Sequence, residues 1–202
     1  MQHRQSTVLK HQPFARLVGA AVLVVAALAC NVGLGLTGAQ ADQTDPTLDT
    51  LFEELRTGGA INAEANADRI LEIWADSQSD TVDLLYARAL GKYLEGDLDS
   101  AGRLLIYIRG LSPNFMQGYA LSGFLKLRRE NYAAALADFS RALDLEPRQF
   151  EVRKAVAQLL LSSGEKREAY KMLQEALAWN PFDEEMRAMA RKLREEFEGQ
   201  EI

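Results

Sequence analysis

Three prolines recur at an even interval, and that interval limits what the chain can fold into more than any other feature. Pro113, Pro147 and Pro181 each follow an apolar-periodic segment, in "IRGLSPNF", "RALDLEPRQF" and "EALAWNPF", and 147 − 113 and 181 − 147 both give 34. The register extends beyond the prolines. Ala101, Ala135 and Ala169 coincide, as do Leu105, Phe139 and Leu173, and then Ile108, Ala142 and Ala176. Within one unit these positions fall at i, i+4 and i+7, one face of a helix, with a small side chain where two helices cross closely and a larger one filling the gap beside it. Ala89, Gly123 and Ala157 form a second small-residue column on an earlier helix of each unit. Between the two helices come "EGDLDSA", "RENYAAA" and "SGEKREA", where Gly96 and Gly164 suit the C-terminus of the first helix and Asp97 and Asn131 suit the N-cap of the second. The proline lacks an N–H and biases its predecessor away from helix, so it ends each second helix and starts the next pair at a fixed angle. Helix pairs repeated at this period predict an all-α solenoid in which each pair buries its apolar face against its neighbours.

The stretch "YALSGFLKLRRENYAAALADFSRALDLEP" resembles the tetratricopeptide repeat in its order of small residue, alanine, aromatic or aliphatic residue, alanine and proline. The resemblance spans residues 82–183 and implies a right-handed stack of antiparallel helix pairs at 82–115, 116–149 and 150–183. Lys92 and Lys126 stand where the family usually has a large apolar residue, so the first-helix packing is expected to be slightly rotated. Residues 47–81 read as a degenerate N-terminal pair, because Ala67, Leu71 and Trp74 continue the columns one period upstream. Ser79 replaces the proline of that unit, and Gly58 and Gly59 shorten its first helix. At the other end, "DEEMRAMARKLREEF" sets Met186, Met189, Ala190, Leu193 and Phe197 on one stripe, which predicts a capping helix within residues 184–202.

Residues 1–41 read as an address. Arg4, Lys10 and Arg16 precede the apolar run "LVGAAVLVVAALAC", and "GLTGAQA" then offers small residues at Ala39 and Ala41, a cleavage site before Asp42. Export to the periplasm is the expectation, with residues 42–46 as a linker. An uncleaved segment anchoring the repeats at the inner membrane is the alternative, and lipidation at Cys30 is a weaker one. "SQSDTVDLL" and "LEPRQF" resemble segments of small exported tetratricopeptide proteins of alphaproteobacteria, which implies an envelope protein.

Composition removes several classes of function. Both histidines, His3 and His11, and the one cysteine lie within residues 1–41. A chain cleaved before Asp42 therefore has no Ser-His-Asp or Cys-His nucleophile pair, and a metal site would need carboxylates alone. Neighbouring carboxylates such as Glu53 with Glu54 and Glu195 with Glu196 lie in charge-rich helical segments and read as solvated surface. "GLGLTG" at 33–38 spells a dinucleotide-binding turn, but a polar linker succeeds it instead of a helix, so no cofactor is expected. All 29 acidic residues and 20 of the 23 basic ones fall after position 41, leaving residues 42–202 at 20 − 29 = −9. That sign disfavours nucleic acid, whose binders need a basic stripe.

What remains is protein recognition without catalysis. The resemblance implies a concave face built by the first helix of each pair, and Tyr86, Leu90, Tyr93, Phe124, Leu127, Arg128 and Lys154 are its candidate partner-binding residues. An aromatic and aliphatic strip flanked by two cations suits an extended segment or an amphipathic helix of another protein. The carboxylate clamp of tetratricopeptide co-chaperones is not expected, since Tyr86, Leu90, Leu121, Glu151 and Ala155 occupy its positions. A structural role is the alternative, with the groove filled by the N-terminal pair or by a second copy of the chain.

Overall fold

The computed structural model describes residues 45–199, and among them every regular element is a helix. In chain order these are α1 (Pro46–Thr57), α2 (Ala60–Ala75), α3 (Asp80–Glu95), α4 (Leu98–Leu111), α5 (Met116–Arg128), α6 (Tyr132–Leu145), α7 (Phe150–Ser162), α8 (Lys166–Trp179) and α9 (Glu184–Glu198). Residues 1–44, with the expected leader and its expected cleavage site at Ala39 and Ala41, lie outside the described residues.

Local chemistry sets the helix ends. The Asp97 carboxylate accepts from the Ser100 N–H at 3.1 Å and the Asn131 side chain from the Ala134 N–H at 3.4 Å, so each satisfies a donor that has no partner within its helix. The turns inside each pair reverse through left-handed backbone at Gly96 and Gly164, both at φ +85°, and at Glu130, at φ +58°. In the middle turn a side chain bears the cost that glycine avoids. The second helices stop at Leu111, Leu145 and Trp179, just short of each proline.

The columns form the core. All nine residues at the Ala-large-small positions of α4, α6 and α8 are at most 1% exposed. Gly123 shows why the earlier column is small: a Cβ there would come within 2.5 Å of the Phe139 ring, so only a bare backbone lets α5 and α6 close to this distance. Lys126 keeps its place because the buried Asp138 carboxylate meets it at 2.6 Å and meets Arg109 at 3.2 Å. Lys92, its counterpart one unit earlier, pairs with Glu95 at 2.6 Å on the surface. α9 closes the far end against α8, burying Met186, Ala190 and Leu193 and setting Phe197 edge-on to Tyr170 at 5.8 Å.

The N-terminal pair departs from the expected stack. Ala67 and Leu71 are only half-buried, and α2 makes little contact with α3. Instead α1 packs on α8, and α2 on α5. Phe52 lies 5.6 Å from Trp179 and 5.8 Å from Trp74, which in turn lies 5.7 Å from Phe150. Arg148 sits over the Phe52 ring at 4.8 Å and pairs with Asp49 at 2.7 Å. The cause is the linker after α2. Where a proline would set the repeat angle, the Ser77 N–H and hydroxyl both donate to the Asp83 carboxylate, at 2.8 and 2.5 Å, and Gln78 takes φ +60°. That local turn redirects the hairpin toward the third repeat, where its aromatic side chains find a dry surface.

Candidate protein-binding surface

The first helices of the three pairs, α3, α5 and α7, carry the candidate strip, and their N-terminal and C-terminal halves differ. Tyr86 packs half-buried against the core of the first repeat: its ring stands edge-on to Phe115 at 5.3 Å, and burial pushes its hydroxyl pKa up to about 12. Gln117 and Ala120, one repeat on, are buried. Lys154 is occupied by Glu151 at 3.0 Å, Asp183 at 3.2 Å and Glu185 at 3.5 Å. Burial works against its charge, but the Glu151 and Asp183 carboxylates outweigh it and hold the ammonium above the ordinary lysine value. A cation so surrounded has little left for a partner. The N-terminal half of the strip is therefore closed.

The C-terminal half is open. Leu90 is exposed, and Leu94 is 71% exposed at the end of α3. Tyr93 packs half-buried against the core of the first repeat, with the Arg128 guanidinium over its ring at 4.8 Å. Arg128 also donates to the Tyr93 carbonyl at 2.5 Å, so the ends of α3 and α5 are pinned side by side. Phe124 is half-buried, edge-on to Phe139 at 5.1 Å, and Leu127 is half-buried beside it in sequence. An apolar patch with one exposed guanidinium can desolvate apolar side chains and orient a carboxylate or carbonyl at its rim. Among the described residues no group of His, Cys, Asp or Glu could hold a metal ion, and no helix is long and apolar enough to cross a membrane.

Residues 126–193 match the tetratricopeptide repeat family. Over those residues, a third of the chain, the sequence is similar to tetratricopeptide repeats. The same architecture appears in the Yersinia enterocolitica type III secretion chaperone SycD in complex with a peptide of the translocator YopD, at 20% identity and a TM-score of 0.54 over 58% of this chain and 95% of that one. An alternative dimer of the same translocator chaperone is similar at 20% identity and a TM-score of 0.55, over 59% and 96%. No curated protein sequence matches. The tetratricopeptide fold is thus a right-handed helical solenoid with α9 as its cap. The strip expected from the family splits into a structural half and an open half. Reading the sequence missed the apolar side chains on the outer side of the first repeat, Leu84, Ile106, Tyr107 and Leu111, all exposed. The signal for Ile106, Tyr107 and Leu111 was the apolar residues lying between the column positions of "RLLIYIRGL".

Proposed function

We propose that the chain is a non-catalytic protein-interaction module of the bacterial cell envelope, holding a segment of a partner protein against the open half of its concave face. The observation that carries this reading is the exposure of Leu90 and Leu94 on α3, whose end Arg128 pins to α5, the helix that carries half-buried Phe124 and Leu127. Pre-positioned apolar side chains lower the ordering cost of binding. The bound peptide in the SycD complex supports recognition of a short segment by this fold, and the leader read from residues 1–41 supports the envelope.

The test is affinity capture from envelope extract with the wild type and a Leu90→Asp, Leu94→Asp variant. Both side chains are exposed, so the fold should tolerate the change. The wild type should retain a discrete protein that the variant loses while both melt alike. Retention of the same protein by both would reject this surface. A structural role is a second reading, favoured by the N-terminal hairpin, whose aromatic side chains tie the start of the described chain to the third repeat.

A further inference from the structure

The first repeat has a face that no described element covers. Of the seven large apolar side chains exposed among the described residues, four lie on α3 or α4 apart from the concave strip: Leu84, Ile106, Tyr107 and Leu111. Between these helices runs an open trough of about 660 Å³, lined by Arg88, Lys92 and Arg103 together with Gly91, Leu104 and Tyr107, and with Glu95 as the one carboxylate. This basic lining stands out in a chain whose residues 42–202 carry −9.

Internal symmetry says what shape fits there. At the 34-residue period the counterparts of Arg88 are Ser122 and Val156, and those of Leu104 are Asp138 and Met172. All four are at most 9% exposed, because α4 packs on α5 and α6 packs on α7. In the first repeat no described residue takes the place of that preceding helix, since α2 docks elsewhere. The trough is a seat for one helix.

The structure also contains a helix face that matches the seat. α2 turns Ile61, Glu64, Ala65, Asp68 and Glu72 to solvent, positions that recur along one side of a helix, and Ile61 is 96% exposed. Arg69 flanks this face and meets Glu72 at 2.7 Å, which leaves Glu64 and Asp68 as its uncompensated charges. Carboxylates beside an exposed apolar side chain complement Arg88 and Arg103 beside Leu104 and Tyr107, Lys92 being paired with Glu95 at 2.6 Å. The register agrees too. A Cβ on Gly102 of α4 would lie 3.8 Å from Leu125 of α5, and one period earlier this pair becomes Asp68 and Gly91. The small and the large partner have changed sides: a Cβ on Gly91 would meet nothing within 4 Å, which leaves room for Asp68 beside Arg88 and Lys92.

We propose that α2 of one copy docks by this acidic face in the α3–α4 trough of a second copy, and that the second copy reciprocates, giving a two-fold dimer with two identical contacts. Trough against trough would set cations against cations, so the contact pairs unlike surfaces. Within each copy α2 stays on α5, and Trp74 stays on Phe150, which is what directs the acidic face outward.

Charge reversal tests this in trans, by sedimentation velocity of the full chain over a concentration series. The wild type should dimerise, less so at high salt. The double variant Glu64→Lys, Asp68→Lys and the double variant Arg88→Glu, Arg103→Glu should each weaken the dimer by about tenfold or more. Mixing the two variants should restore it, because each reversed helix then meets a reversed trough. Gly91→Leu fills the seat at a helical position that gains propensity, so it should abolish the dimer while leaving the helical circular dichroism intact. A monomer at every concentration, a dimer indifferent to both reversals, or a mixture no tighter than its parts would each overturn the proposal. So would a monomeric chain that binds a synthetic Glu- and Leu-patterned helix through the trough, which would assign the seat to a different protein.

Discussion

Phe52→Ala tests whether the N-terminal hairpin is an attached clasp or an integral layer. The phenyl ring is 2% exposed, touches Trp74 and Trp179 at centroid distances of 5.8 and 5.6 Å, and lies under Arg148. Removing a ring so enclosed costs about 3–5 kcal/mol, of which the two aromatic pairs contribute ~0.5–1.5 kcal/mol each. The remaining links are weaker. The Asp49–Arg148 pair has an exposed carboxylate and is worth roughly 0–1 kcal/mol, which leaves Trp74 on Phe150 and Arg56 over the Trp179 ring at 5.7 Å as residual holds. Because α2 hardly touches α3, the loss should fall on docking of the hairpin and leave the stack in place. Hydrogen exchange read by mass spectrometry separates the two cases. Amides of α1 and α2 should exchange about 100-fold faster or more, since ~1.4 kcal/mol is a factor of ten, while α3 to α6 keep wild-type protection. An even loss of protection from α1 through α9 would refute the clasp, as would an unchanged hairpin.

Two further predictions address the core. Gly123→Ala gains about 1 kcal/mol in helix propensity but drives a methyl into the Phe139 ring, an overpacking cost of ~1–3 kcal/mol, so the melting temperature should fall; a rise would contradict the close crossing of α5 and α6. Tyr86 gives a pH signature: its folded-state pKa of about 12 lies above the ordinary 10.0, so its contribution to stability is complete below pH 10 and is lost as pH climbs toward 12. The wild type should therefore lose ~2–3 kcal/mol more than Tyr86→Phe over that interval in denaturant titrations, and parallel curves would show that the hydroxyl is not buried.

The repeated part of the fold was legible because its signals are local or periodic. Proline spacing, the three buried columns, the caps at Asp97 and Asn131 and the αL glycines all come from steric and hydrogen-bonding rules that act within one unit. Placement of the N-terminal pair was not legible. Ala67, Leu71 and Trp74 keep the spacing of a repeat, but the contacts that decide their position are made with Phe150, Arg148 and Trp179, far along the chain, and no local pattern encodes those. The binding strip was half legible for a similar reason. Leu90, Phe124, Leu127 and Arg128 remain at an open face, whereas Tyr86 is taken by Phe115 and Lys154 by three carboxylates. Which family position faces a groove is set by the repeat, but what else fills that groove depends on the whole chain.

A partner segment is expected to bind the open half of the concave face. Hydrogen exchange on the chain with its captured partner, compared with the chain alone, tests it most directly. New protection should concentrate in residues 90–96 of α3 and its turn and 124–130 of α5 and its turn, around Leu94 and Arg128. Protection confined to the outer helices α4, α6 and α8, with those two segments unchanged, would contradict the account.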